Sequence, residues 1–258
     1  MELKEVIGLR RSIRYYASWR PVEMSKLQKM LEAARLGSFA GNMGLLRAVV
    51  IDNTNPSPEV IEAVTGPGSA VHARMAPVLI VWYVDIVDRQ DWAERLKELI
   101  DAGALNPSHG WSYTFAENFA SFVVGTLKSI TAPYDMEAMD AGQGIAQATL
   151  VAYEEGLGTC LNNLDREKFK KILKLPETAT PLVIQTVGYP AESRDAGGQR
   201  PRRPFERLFF LNEYGNPFPR DPAVVEELKG EKMIRGPAPL PWRKKEISAL
   251  AHLFGLPE

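Results

Sequence analysis

The feature that most constrains the fold is a long segment, residues 139–155, which is rich in alanine and almost uncharged until its last turn. A helix on the surface of a protein carries a polar face, so a helix without one is normally covered on most sides. Gly156 and Gly158 follow directly, and glycine favours the end of a helix. The sequence therefore predicts a central helix that the remaining elements surround.

Several apolar segments have the length and β-branched content of strands, and the strongest of them spans residues 76–85. The other predicted strands are residues 45–52, 159–164 and 181–188. Ser57 before Pro58, and Asp165, are typical of helix N-caps. Amphipathic spacing predicts further helices over residues 3–7, 24–34, 92–100, 115–130, 221–229 and 243–254 and after Asp165.

Composition narrows the classes of function. The chain has 258 residues, of which 45% are hydrophobic, enough for one large domain or two small ones. Its 31 lysines and arginines nearly cancel 32 aspartates and glutamates, so no overall field attracts nucleic acid or an anionic membrane. The longest apolar run, residues 76–84, is far shorter than the ~20 residues of a membrane span. With no apolar signal segment at the start, we expect a cytoplasmic protein without membrane or nucleic-acid partners.

Familiar catalytic and metal-binding patterns are missing from the sequence. Cys160 is the single cysteine, and the histidines at positions 72, 109 and 252 lack metal-ligand spacing, so no metal site is predicted. The Rossmann, P-loop, zinc-protease and serine-hydrolase signatures do not occur. Cys160 lies in an apolar strand and is interpreted as a packing residue.

Two arginine-rich stretches are candidates for binding an anion. One is Arg10-Arg11-Ser12-Ile13-Arg14 and the other is Arg200-Pro201-Arg202-Arg203-Pro204. The planar guanidinium group donates paired hydrogen bonds to phosphate oxygens. Each stretch alone is also compatible with a solvated basic turn. Two of them in a chain of near-zero net charge suggest that both converge on a single phosphate.

Two further segments resist a simple structural interpretation. Asn42 stands in a loop before the first strand, where its amide offers donors and an acceptor to the edge of a heterocycle, although the residue taken alone is more typical of an ordinary turn. The apolar run of residues 207–211 suits the edge of a sheet, yet no partner strand is evident nearby.

Taken in order, these pieces resemble the nitroreductase family of flavoproteins. The resemblance extends over residues 1–211 and rests on five motifs: Arg-Arg-Ser-x-Arg, Ala-Gly-Asn, Met-Asp-Ala-Gly leading to Glu-Glu-Gly-Leu-Gly-Thr, Val-Gly-Tyr-Pro, and Arg-Pro-Arg-Arg-Pro. It implies an α+β fold, a mixed β-sheet wrapped by helices, in an intertwined homodimer whose C-terminal segment joins the partner's sheet. Residues 1–211 then form the FMN-binding domain, and residues 212–258 an extension packed on the same domain or on the partner subunit.

The resemblance also implies a set of cofactor-binding residues. The FMN phosphate is expected at Arg10, Arg11, Ser12, Arg14 and Arg202, with Arg200 as a further candidate. Asn42 is expected to face the flavin ring, and the strand residues Leu161, Asn162 and Asn163 to lie against it with a backbone N–H near N5. No side chain is expected to act as a catalytic acid or base, since the flavin carries the chemistry.

The expected activity is reduction of small molecules with NADH or NADPH as the electron donor. Donor and acceptor occupy one pocket in turn, a ping-pong cycle, and the acceptor is a nitroaromatic, quinone or enone. Reductive dehalogenation, oxygen-dependent flavin breakdown and a non-catalytic flavin-binding role are the alternatives. The sequence departs from the family near the expected pocket, with Ser38 and Phe39 where Pro-Ser is usual and residues 44–46 where Gln-Pro-Trp is frequent.

Overall fold

Four strands form one antiparallel sheet in the order β1-β2-β4-β3. A computed structural model describes residues 1–64, 69–86, 91–127, 136–236 and 240–256. The strands are β1 (Leu46–Asp52), β2 (Val78–Asp85), β3 (Gly158–Asn162) and β4 (Ala179–Gly188). Every predicted strand is present, and the α+β class is confirmed. β2 is central and buried on both faces, which explains its uninterrupted apolar sequence.

The segment after the first helix runs along the outer edge of β3. Ser12 forms an isolated parallel bridge with Thr159, and the Ile13 N–H donates to the Thr159 carbonyl over 2.9 Å. This bridge adds a parallel element beside the antiparallel ladder. It also fixes the first arginine stretch at one end of the sheet.

Ten α-helices occur in the described part of the chain. They are α1 (Leu3–Leu9), α2 (Met24–Arg35), α3 (Pro58–Ala63), α4 (Ser69–Met75), α5 (Trp92–Asp101), α6 (Tyr113–Leu127), α7 (Met136–Glu154), α8 (Arg166–Ile172), α9 (Pro222–Gly230) and α10 (Arg243–Leu253). Both predicted caps are confirmed, since Ser57 accepts from the Val60 N–H and Asp165 from the Lys168 N–H. Residues 128–130 of the predicted helix 115–130 lie outside the described residues. No described helix is both long enough and apolar enough to cross a membrane.

α7 is the central helix, packed against α2 and one face of the sheet. Small residues allow this close packing: a Cβ at Gly144 would lie 2.9 Å from the Ala34 carbonyl oxygen. Within one chain, however, burial covers only one side of the helix. The opposite side is exposed although it carries almost no charge, and it includes Met139, Gly142, Gln143, Ala146 and Gln147. The expectation of burial on most sides is therefore not met by a single chain.

A buried polar chain ties α7 to the sheet. The Trp82 indole N–H donates to Gln185 over 2.9 Å, and the Gln185 amide donates to the Thr149 hydroxyl over the same distance. Thr149 donates in turn to the Ile145 carbonyl. Gln185 is completely buried, so these bonds replace the water that its amide loses on folding.

The apolar run of residues 207–211 has a local partner, and the expectation that it has none was wrong. The Leu211 N–H donates to Asn216, the Phe218 N–H donates to Phe209, and Phe210 and Pro217 form an antiparallel bridge. The intervening turn uses positive φ angles at Asn212 and Gly215, which a sequence pattern for strands does not reveal. The run stays half exposed: Phe209 retains 52% of its accessible surface.

The C-terminal helix α10 packs on the N-terminal part of the same chain. Leu250 and Ala251 are buried, and the Phe254 ring lies 6.1 Å from that of Tyr15. Arg243 forms an ion pair with the buried Glu192 carboxylate. The residues after 211 are thus tied directly to the loop that carries the second arginine stretch.

Candidate functional site

Both arginine stretches line one cavity of about 450 Å³, which we call the arginine cavity. The first stretch contributes Arg10, Arg11 and Ser12, and the second contributes Arg200 and Arg202. The remaining lining residues are Ile7, Gln199, Phe205, Leu228, Met233 and Ile234. Among these described lining residues there is no carboxylate. Five of the ten predicted cofactor-binding residues are therefore brought together around one space.

The backbone of the first stretch is held at several points. Arg10 ends α1, and the bridge to Thr159 holds the next residues against β3. The Glu192 carboxylate accepts the backbone N–H groups of Arg14 and Tyr15, over 2.5 and 3.1 Å. These contacts fix the backbone of the first stretch, and the fixed backbone sets the directions of its side chains.

Arg11 joins the two stretches and retains a donor without a partner. Its Nε donates to the Gly198 carbonyl over 2.5 Å and its Nη1 to the Arg10 carbonyl over 2.6 Å. Its Nη2 is buried and has no hydrogen-bond partner. A buried unpaired donor of this kind is costly, so Nη2 marks a position suited to an acceptor supplied from outside the chain.

Positive charge outweighs negative charge around the cavity, although Asp195 acts on Arg11 and Glu192 on Arg200 in the opposite sense. Burial lowers the pKa of Arg10, and the neighbouring Arg202 lowers it further. Burial likewise lowers the pKa of Arg11, followed by the positive charges of Arg235, Arg10 and Arg200. Guanidinium groups keep their protons at such sites, so the cavity stays positively charged. The cavity therefore fits a phosphate group of about two negative charges.

An apolar cavity of about 620 Å³ adjoins the arginine cavity, since Ile7 and Arg10 line both. Its remaining lining residues are Ala138, Ala141, Gly142, Ile145, Ala146, Thr149, Leu150, Leu161, Arg166, Leu182 and Val183. Sequence reasoning missed the residues that α7 contributes to this wall. The signal available for them was the uncharged face of residues 139–155, which we interpreted as core.

Leu161 lies at the open edge of β3. Successive residues of a strand direct their backbone groups to alternate sides, and the Thr159 carbonyl already faces Ile13 outside the sheet. The backbone N–H of Leu161 therefore points to the same outer edge, beside the apolar cavity. This placement is compatible with the predicted backbone contact to a ring.

Other predicted residues are placed differently. The Asn162 side chain is buried and occupied internally, donating to the Cys160 carbonyl over 3.1 Å and contacting His72 Nδ1 at 3.2 Å. Asn163 is exposed beyond the end of β3. Arg14 does not belong to the arginine-cavity lining, although its charge contributes to lowering the pKa of Arg200, after burial.

Asn42 is not brought to the arginine cavity within one chain. It lines a separate cavity of about 390 Å³ next to β1, together with Phe39 and Trp82. Its φ is 58°, and that of Gly41 is 54°. A Cβ at Gly41 would lie 2.7 Å from Trp92 Cε2, so glycine is required there. β1 and β3 are the opposite edges of the sheet, about 14 Å apart across three strand spacings. Asn42 beside β1 therefore does not reach a ligand held beside β3 in the same chain.

Comparison with known proteins identifies the family. The nitroreductase family model matches residues 7–189. The chain belongs to the nitroreductase family. An NADH dehydrogenase of Thermus thermophilus is 30% identical over 210 residues, which are 81% of this chain and 95% of that protein. An NADPH-dependent oxidoreductase of Staphylococcus saprophyticus is 26% identical over 196 residues, 75% of this chain and 67% of that protein.

Solved nitroreductase-family structures share the fold. A nitroreductase family protein from Streptococcus pneumoniae superposes with a TM-score of 0.64 at 20% identity, covering 82% of this chain and 100% of that one. A putative nitroreductase in complex with FMN, from Exiguobacterium sibiricum, superposes with a TM-score of 0.64 at 19% identity, covering 82% and 98%. The sequence-based resemblance is thereby confirmed. Residues 190–258, which include the second arginine stretch, lie outside the family match.

Proposed function

We propose that this nitroreductase-family protein is an FMN-dependent oxidoreductase that takes electrons from NADH or NADPH. The observation that carries the proposal is the arginine cavity, with its unpaired Arg11 donor, adjoining an apolar cavity of ring-binding character. The names of the Thermus and Staphylococcus relatives support the electron donor, and the Exiguobacterium complex supports the cofactor.

The phosphate of the cofactor is assigned to the arginine cavity. Its proposed ligands are Arg10, Arg11, Ser12, Arg200 and Arg202, with Arg14 close by as additional positive charge. Arg11 Nη2 gains the acceptor that the chain itself does not provide. The positive charges lose mutual repulsion when a dianion lies between them, so binding and electrostatic relief coincide.

The flavin ring is assigned to the apolar cavity, against the outer edge of β3. There the Leu161 backbone N–H is available as a donor, and the small residues of α7 leave room for a flat ring. Flavin supplies two-electron redox chemistry when bound, and the chain needs no acid or base of its own. The apolar walls exclude water, and the nearby guanidinium groups would favour the more negatively charged state of the flavin.

We further propose that the site is completed in a homodimer. Asn42 lies at the opposite sheet edge from the arginine cavity, so it reaches a flavin only if Asn42 of the partner subunit is brought to that cavity. The exposed, uncharged side of α7 and the exposed apolar residues around Phe209 offer surface for such contact. In this dimer we propose that the C-terminal segment of each subunit joins the sheet of its partner.

The acceptor proposed is a nitroaromatic, quinone or enone that replaces the oxidised nicotinamide in the pocket. Phe39, Gly44 and Leu46, which stand where the sequence departs from the family pattern, line the Asn42 cavity. Through the dimer they become part of the acceptor pocket, and the apolar side chains of Phe39 and Leu46 favour flat, apolar acceptors over charged ones.

Purification under native conditions tests the proposal. We expect yellow protein with about one FMN per chain, because the site matches one phosphate and one ring. Anaerobic addition of NADH or NADPH should remove the flavin colour, and a quinone should restore it. Colourless protein that takes up neither FMN nor FAD contradicts flavin binding. Bound flavin that neither nicotinamide reduces points to the non-catalytic alternative, and product analysis under air separates dehalogenation from flavin breakdown.

A further inference from the structure

Glu192 links the first arginine stretch to helix α10, and both Glu192 and α10 lie outside the family match. The Glu192 side chain is completely buried. Its Oε1 accepts the backbone N–H groups of Arg14 and Tyr15 over 2.5 and 3.1 Å. Its Oε2 accepts from the guanidinium group of Arg243, the first residue of α10. One buried carboxylate is therefore shared between the arginine stretch and α10.

Arg243 also lies beside the loop that leads to the second arginine stretch. Its Nη1 donates to Glu246 over 2.8 Å, and Glu246 accepts the Ser193 backbone N–H over 2.5 Å. Further along the loop, a Cβ at Gly197 would lie 2.9 Å from Arg200 Nη1 and 3.9 Å from Arg243 Nε. Arg243 and Arg200 thus border the same position of the loop backbone.

The charges of Glu192 and Arg243 reach the arginine cavity, which Arg200 lines. Burial lowers the pKa of Arg200, and the positive charges of Arg14 and Arg243 lower it further. The negative charge of Glu192 acts on the same pKa in the opposite direction. A carboxylate at this position also repels an anion in the cavity, and the adjacent Arg243 offsets that repulsion. Removing one member of a buried ion pair leaves the other charge uncompensated.

Resting on the proposed function, we infer that Arg243 is a positioning residue for the phosphate of the cofactor and acts through Glu192. Arg243 is not among the residues that line the arginine cavity. Paired with Arg243, the Glu192 carboxylate holds two backbone N–H groups of the first stretch without repelling the phosphate. Without Arg243, the same carboxylate becomes an uncompensated negative charge close to the anion site.

The test measures FMN and riboflavin affinity on full-length protein freed of its flavin, by quenching of flavin fluorescence. Arg243→Met removes the charge and keeps most of the side-chain length, whereas Arg243→Lys keeps the charge. Lys244→Met is the matched control, because it removes one positive charge from an exposed position of the same helix. Thermal unfolding shows whether each variant is folded.

The double variant Glu192→Gln/Arg243→Met separates the charge of Glu192 from its hydrogen bonds. The glutamine amide oxygen still accepts backbone N–H groups, while both charges of the pair are gone. This variant leaves no unpaired buried charge, so its comparison with wild type decides the matter if Arg243→Met fails to fold. A loss of FMN affinity of about tenfold in the double variant would then overturn the inference.

We expect Arg243→Met to weaken FMN binding by at least about tenfold and riboflavin binding by less than about twofold, because only FMN carries the anion that Glu192 repels. Arg243→Lys, Lys244→Met and the double variant should stay within about threefold of wild type for both flavins. The inference is overturned by unchanged FMN affinity in Arg243→Met, by an equal loss for riboflavin, or by a double variant as weak as Arg243→Met. In each of these cases the proposed function survives, because wild type still binds FMN. If wild type binds neither FMN nor riboflavin, the proposed function fails and the inference fails with it.

Discussion

Replacing Arg202 by alanine tests the phosphate site with little disturbance of the fold. Arg202 lines the arginine cavity, yet its side chain is exposed and its only hydrogen bond in the described structure is to the adjacent Pro201 carbonyl, at 3.3 Å. Loss of such a side chain changes the free energy of unfolding by no more than about 0.5 kcal/mol. An effect on FMN affinity therefore reports on binding alone.

The expected loss follows from the exposure of Arg202. A hydrogen bond to a charged group contributes about 1.5–3 kcal/mol, and solvent around an exposed guanidinium weakens it toward the lower figure. We expect a loss of about 1.5–2 kcal/mol, which corresponds to roughly ten- to thirtyfold in the dissociation constant. Buried Arg11, with its unpaired Nη2, lies at the upper end of the same range.

The assay is titration of flavin-free protein with FMN and with riboflavin, which has the ring and no phosphate. Arg202→Ala should weaken FMN and leave riboflavin unchanged. Arg203→Ala is the matched control, because Arg203 is the next residue, is equally exposed and does not line the cavity. Unchanged FMN affinity in Arg202→Ala, or equal losses in both variants, would refute the assignment of the phosphate to this cavity.

Three further predictions concern stability and assembly. Gln185→Leu leaves the Trp82 indole N–H without its acceptor and should lower the free energy of unfolding by about 1–3 kcal/mol in urea titrations; an unchanged midpoint contradicts the role given to this network. Burial lowers the pKa of His72 below its ordinary 6.5, with Arg14 and Glu192 facing it, so the unfolded state takes up the proton first as pH falls. Stability should therefore decline as pH falls below about 6.5 and level off below the folded-state pKa, and His72→Gln should flatten that decline. Light scattering at micromolar concentration should give a dimer, and a flavin-containing monomer of 28.7 kDa would contradict the completed site.

Local features were readable from the sequence because they depend on neighbours in the chain. Apolar runs of strand length predicted all four strands, and the hydroxyl and carboxylate of Ser57 and Asp165 predicted two caps that the structure confirms. The order of five short motifs was enough to indicate the family. The strand and cap signals are local, and each motif is short, although the order of the motifs extends over most of the chain.

The sequence did not predict the local pairing of residues 207–211. That pairing depends on positive φ angles in the turn at Asn212 and Gly215. The presence of an asparagine in a polar loop does not by itself predict a positive φ. The uncharged side of α7 was likewise interpreted as core. Hydrophobic periodicity reports that a surface avoids water, and it does not report whether the cover is the same chain, a ligand or another subunit.

The sequence by itself determined the four strands, most helices, though not α4, the family and the presence of two arginine stretches, because these follow from residue type and spacing. Only the tertiary structure decided that Arg11 reaches Gly198, across 187 positions of the chain, so that both stretches share one cavity. It also separated Asn42 from that cavity and turned the Asn162 amide inward. The physical reason is that such contacts are set by how distant elements pack, and packing depends on the whole core rather than on any one segment.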